Sequence, residues 1–252
     1  MARFETANAL INRAAVEVGL NADNDPVASP DETYIQMQAL LDSLGQELVN
    51  LYDWPILVRT LTIDTQADDS GVYELPDDYD HMINQTAWDM NNTVPVTGPL
   101  SPQQWQYLEV TNLVSQSLYA SLRQFDNKLE VYPQPAPPTI ITLEYISRNW
   151  VMEQGQDTPN LDSVATGSDF VMFDPLLVVK MLKLKYLQAK GLPAQDAAME
   201  FDTMLQARMS KAQGAPMLNA GRSMRGYRYI NGWNAPDTGY GGMHCCIPVN
   251  AH

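Results

Sequence analysis

The sequence predicts an α+β chain: a helical bundle, an inserted small antiparallel β domain, and an extended C-terminal arm. Three observations carry this expectation. The stretch 174–190 is apolar around most of its circumference and is followed by a second helical pattern. Residues 34–51 place Tyr34, Met37, Leu41, Leu44, Leu48 and Leu51 at alternating spacings of three and four, the mark of a bundle seam. Between Ile56 and Ser147 the apolar period falls to two, as a half-buried strand requires.

At the N-terminus, Phe4, Ala7, Ile11, Ala14, Ala15 and Val18 recur at helical spacing, and Gly19-Leu20 supplies the stop. Arg3, Glu5 and Arg13 interrupt that stretch, so it predicts an amphipathic helix and not a secretion signal. After a polar turn over 21–28, Ser29-Pro30-Asp31-Glu32 reads as a capping box that launches a helix to about Tyr52. Asp53-Trp54-Pro55 ends it.

Leu61 and Ile63 alternate with Thr60, Thr62 and Asp64, a turn follows at 68–71, and Val72 to Leu75 returns, which predicts a β-hairpin. Pro76 to Ile83 reads as a short helical turn, 85–90 as a strand and 94–96 as an edge strand holding Pro95. Ser101-Pro102-Gln103-Gln104 opens a short helix through Trp105 and Leu108. Residues 119–125 and 128–132 form a second hairpin about Asp126-Asn127, a proline-rich loop follows, and 139–147 is the last clear strand. Residues 155–167 read as polar linker.

The 174–190 helix has the strongest start signal in the chain. Asp174 offers its carboxylate to an unpaired amide, and Pro175 at the first helical position loses no hydrogen bond. Leu176, Leu177, Val178, Val179, Met181, Leu182, Leu184, Tyr186 and Leu187 cover several faces, and only Lys180, Lys183, Lys185 and Lys190 break the coat. A bilayer span takes about 20 apolar residues, so the partners of this helix must be protein. The expectation is that other subunits cover part of it, with Val178 and Leu182 as interface residues. Gly191-Leu192-Pro193 then turns the chain into a helix over 193–212 with the stripe Ala197, Ala198, Phe201, Met204, Leu205 and Met209. The resulting organisation is a bundle domain over 1–55 and 168–213, a β domain over 56–152, a linker over 153–167 and an arm over 214–252.

The net charge is −15, unevenly spread. Residues 1–60 hold three basic against nine acidic side chains, 61–170 three against sixteen, 171–214 six against four, and 215–252 three against one. An acidic surface repels phosphate backbones and disfavours tight nucleic-acid binding, and it is compatible with a wall past which DNA slides without sticking. The two cysteines, Cys245 and Cys246, are adjacent and offer no disulfide scaffold, so the fold stands on packing in a reducing compartment.

No segment carries a catalytic or cofactor signature, and the expectation is a chain without catalytic residues, cofactor or metal. Asp77, Asp78 and Asp80 are the acids a carboxylate-based hydrolase would use, which requires two of them to face one cleft; carboxylates at the start of a helical turn also complement its dipole, and that reading is preferred. Asp23-Asn24-Asp25 lacks the glycine and distant glutamate of a calcium loop. His244, Cys245, Cys246 and His252 lack zinc-finger spacing. The arm is the anomaly. Arg222, Arg225, Tyr227, Arg228, Tyr229, Trp233 and Tyr240 lie where five glycines follow Arg225 and no core can form. Tyr, Trp and Arg dominate interface hot spots, so Arg222, Arg225, Tyr227, Arg228, Tyr229 and Trp233 are candidate docking residues that order on a partner.

In order, the chain reads YDWP after the N-terminal helix pair, YELPDDYDHMI, TAWD, GPLSPQQWQYL, DNKLEVYPQP, LEYISRNWV and FDPLLVVKMLKLKYLQAKG. Over about 1–212 this order resembles the head-to-tail adaptor (connector) proteins of short-tailed phages, the tail-tubular-protein-A type. The resemblance implies a structural protein of the virion, made in the host cytoplasm and placed at the head–tail junction. It implies a homo-oligomeric ring, usually of about twelve subunits, that binds the portal protein on one side and the tail nozzle or tail tube on the other. DNA passes through the lumen without specific binding. Another tail ring component, a stopper or nozzle, is the alternative within virion proteins.

Overall fold

The computed structural model describes residues 4–65, 71–111, 120–132 and 139–212. It is an α+β structure in which, among the described residues, every strand ladder is antiparallel. The helices are α1 (Ala7–Glu17), α2 (Glu32–Leu51), α3 (Pro102–Thr111), α4 (Pro175–Ala189) and α5 (Gln195–Ala212). The strands are β1 (Glu5–Thr6), β2 (Val58–Asp64), β3 (Val72–Glu74), β4 (Tyr79–Met82), β5 (Trp88–Asp89), β6 (Val94–Pro95), β7 (Ser121–Phe125), β8 (Lys128–Tyr132), β9 (Ile140–Ser147), β10 (Val151–Met152) and β11 (Phe170–Val171).

Local chemistry sets the helix ends. The Asp174 carboxylate accepts the amides of Leu176 and Leu177 at 3.2 Å each, with Pro175 behind it, as the sequence predicts. At the other end Gly191 takes φ +67° and Leu192 N–H reaches back to the Leu187 carbonyl at 2.9 Å. The same device closes α1, where Gly19 has φ +83° and Leu20 N–H donates to Ala15. The cap of α2 differs from expectation. Asp31, not Ser29, accepts the Thr33 amide at 2.8 Å, because Asp31 is still extended and the helix starts only at Glu32.

Helix α4 contacts α1, α2 and α5. Its Leu177, Val178, Val179, Met181, Leu182, Leu184 and Tyr186 are all buried with Leu10, Ile11, Met37, Leu41, Leu44, Leu48 and Phe201 of those neighbours. Three of the four lysines that break its coat are aimed at neighbouring carboxylates. Lys180 meets Glu17 of α1 at 3.2 Å and Glu200 of α5 at 3.1 Å; Lys183 meets the same Glu17 at 3.7 Å, and Lys185 pairs with Glu47 of α2. The hydrogen bond from Lys180, with the lysine charges behind it, holds the Glu200 carboxyl below its usual range.

A three-stranded sheet in the order β1-β11-β10, which period reading does not detect in two-residue strands, joins the N-terminus to the chain ahead of α4. Beside it Trp150 is fully buried against α2. A Cβ at Gly45 would lie 2.1 Å from the Trp150 ring, so only glycine lets the indole approach the helix backbone this closely. The indole N–H donates to the Asp162 carbonyl at 2.8 Å. Residues 153–167, read as linker, are stitched to the helices. Val164 is buried, its amide donates to Asp42 of α2 at 2.9 Å, and Asp169 accepts the amides of Ala165 and Thr166.

In the β part, β9 is the centre: β2 pairs along seven of its residues, β4 and β5 pair with it too, and β6 extends β5. The expected hairpin of 56–64 with 72–75 does not form. The seven-residue β2 takes the eight-residue β9, register Ile63↔Ile141 and Leu61↔Leu143, while the three-residue β3 joins β8 in the order β3-β8-β7. The expected helical turn at 76–83 is the strand β4. A bulge between Tyr79 and His81 puts the two buried residues, Tyr79 and Met82, three apart, which mimics helical spacing. The strand expected over 85–90 shrinks to Trp88–Asp89, because Gln85 takes φ +66°. The second hairpin forms as expected: Asp126 and Asn127 both take positive φ (49° and 56°), the geometry of a two-residue turn. Ile63, Val96, Leu122, Leu129, Ile141 and Leu143 are buried in a second core, while Leu57 and Ile146 of the same region belong to the helical core.

Candidate interaction surfaces

The two α4 residues expected at a subunit interface are in the interior of the chain itself. Val178 and Leu182 are both fully buried. The cause is simple: α1, α2 and α5 of the same chain cover the part of α4 that carries Val178 and Leu182. Arg222, Arg225, Tyr227, Arg228, Tyr229 and Trp233 lie outside the described residues.

The acids of 77–80 are spread over separate partners. Asp78 accepts the Tyr145 hydroxyl at 3.0 Å, and its backbone carbonyl accepts the Arg148 amide at 2.8 Å. Burial, followed by the hydrogen bond to Asp78 and its charge, pushes the Tyr145 hydroxyl up to about 12, so it remains a donor across the working range. Asp80 pairs with His81 instead. Asp77 and Asp78 do line a shallow polar depression with Arg148, Asn149, Asn160 and Asp162, where Arg148 lies 3.7 Å from Asp162. No cluster of three metal-ligating side chains occurs among the described residues.

A more enclosed groove of about 280 Å³ is lined by Trp54, Ile56, Met172 and Phe173, with Arg208 at its edge. Two of its lining residues, Trp54 and Phe173, belong to an aromatic row. Tyr52 meets Trp54 edge-on at 5.1 Å, Trp54 meets Phe173 edge-on at 5.9 Å, and Phe173 stacks on Trp150 at 6.0 Å. The Trp54 indole donates to the Leu48 carbonyl at 2.7 Å, which fixes the row to the end of α2. Arg208 donates to Asp174 at 3.0 Å through one nitrogen, while its buried Nε has no partner.

The largest exposed apolar side chains in the β part belong to α3 and the tip of the β7–β8 hairpin. Trp105 anchors α3. It is buried, donates to Glu109 at 2.7 Å, meets Tyr132 edge-on at 6.1 Å and lies under the Arg123 guanidinium at 4.5 Å. Arg123 is held by Glu130 at 2.5 Å and also covers Phe125. With Trp105 turned inward, Tyr107 and Val110 face solvent at 67% and 80% exposure, three residues apart on one face, and Phe125 is 58% exposed. The sequence did contain this signal: a ten-residue helix with apolar residues on two faces, of which the packed core takes one.

No described helix is long and apolar enough to cross a membrane. No family model matches the sequence, and no curated protein matches it.

Proposed function

We propose that this chain is a structural virion protein, a head-to-tail adaptor that assembles into a homo-oligomeric ring between the portal protein and the tail nozzle or tail tube of a phage. The order of segments from YDWP to FDPLLVVKMLKLKYLQAKG supports the family reading. The observation that carries the interaction role is the α3 surface. A short helix pinned by a buried tryptophan holds Tyr107 and Val110 out in water, and Phe125 projects on the adjacent hairpin. Exposed aromatic and aliphatic groups on a rigid support are the material of protein interfaces.

In this reading α1, α2, α4 and α5 form a helical bundle, and the β part carries the contact to a neighbouring subunit or tail component. The 214–252 arm, with its arginines and aromatics, supplies docking residues for a partner. The acidic balance of residues 1–170 gives DNA a wall it does not stick to. The mechanism is mechanical, a gasket that involves no chemical step.

The test is assembly. Val110→Asp changes an exposed side chain, so stability should stay within about 0.5 kcal/mol of wild type. Ring formation, read by native mass spectrometry with and without the portal partner, should fall at least tenfold. Undiminished assembly of this variant would remove α3 from the interface.

A further inference from the structure

We propose that His81 is a proton-gated latch, which as an imidazolium ties the connection after α2 to strand β4 and on losing its proton releases it. The geometry demands the charged form. Nε2 lies 3.0 Å from Asp53 Oδ1 and Nδ1 lies 2.6 Å from Asp80 Oδ2. A carboxylate only accepts hydrogen bonds, so both ring nitrogens must carry hydrogen. A neutral imidazole has one hydrogen to give, and its other nitrogen would turn a lone pair toward a carboxylate oxygen.

The two acids belong to different parts of the fold. Asp53 sits between the end of α2 and Trp54, which is packed into the helical core. Asp80 and His81 lie on β4, which is laid on β9 in the β part. Asp80 and Asp53 are the charged groups that act on the ring. Opposite it on β9 is Ile146, with Ser147 and Tyr145 opposite Tyr79 and Met82. Tyr145 and Tyr79, both pushed up to about 12, mainly by burial, stay neutral while histidine titrates.

Closed, the latch places one positive charge between two negative ones. Open, the two carboxylates face each other with no cation between them. Burial of the ring works against its charge, but the hydrogen bonds to Asp80 and Asp53, and then their charges, outweigh it and raise the histidine above its ordinary value. The linkage follows from that direction. The stabilisation is fully present below about pH 6.5 and fades as pH rises through the higher folded value. The histidine side chain is 43% exposed, so protons reach it without unfolding and the coupling is modest.

The experiment uses the full chain. Proton NMR follows the histidine Cε1–H signals from pH 5 to 9 in wild type, D53N and D80N, and H81Q identifies the His81 resonance against those of His244 and His252. The His81 midpoint should lie above 6.5 and fall in each Asn variant. Hydrogen–deuterium exchange, corrected for the intrinsic pH dependence, should show residues 52–56 and 79–83 losing protection above that midpoint, and H81Q should show no such pH step. A midpoint at or below 6.5 that neither Asn substitution moves would overturn the latch. So would a protection step in H81Q at the same pH as in wild type.

Discussion

A methyl group at position 45 would collide with the Trp150 indole, itself fully buried. The ring is enclosed on every side by the core, so Gly45→Ala should destabilise the fold by about 2–3 kcal/mol. Urea unfolding monitored by tryptophan fluorescence reads this directly, and an unchanged midpoint would show that the indole is free to shift. Asp89 makes a second single-residue case. Burial opposes its charge, but hydrogen bonds from Thr139, Asn92 and Asn91 win and hold its carboxyl below the usual range. A depressed carboxylate contributes stability above the unfolded value of about 3.9 that is lost as pH falls through the folded one. Wild type should therefore lose more stability than Asp89→Asn between about pH 5 and 3, measured by melts at each pH. Parallel curves would count against that role.

At the scale of elements, α4 and its neighbours decide whether there is a fold. Leu182→Ala should cost about 2–5 kcal/mol, and Leu182→Asp should prevent folding, because an unpaired carboxylate would sit among apolar side chains. Circular dichroism of the isolated chain distinguishes this from an interface defect: a folded Leu182→Asp monomer would contradict the burial of α4 by its own chain. This helix was legible in the sequence from Asp174-Pro175 to Gly191, since its cap, coat and stop are local signals. What covers it was not, because an apolar circumference gives the number of partners but not whose they are. Strand partners were illegible for a related reason. The period of two identifies 58–64 and 140–147 as strands, yet their pairing spans about 75 residues of sequence and depends on matched length. At β4 the bulge falsified the period itself. The surface of α3 was readable only after Trp105 had been placed, since both faces of that helix carry apolar residues.

At the scale of the whole molecule, the net charge of −15 sets a direct expectation. Duplex DNA should show negligible binding in a gel shift at about 150 mM salt, because no basic stripe is available to release counterions. Measurable retention there would contradict a passive acidic lumen. The arm makes a separate expectation. Removal of residues 215–252 should leave a folded chain that joins the portal poorly, and normal assembly of the truncated chain would assign the arm no part. Ring formation is the claim on which the lumen and the role of the arm depend. Single-particle imaging of the full chain mixed with the portal protein of the same particle tests it most directly. A closed ring of about twelve copies seated coaxially on the portal is the predicted result, and a chain that stays monomeric and unattached beside intact portal rings would contradict it.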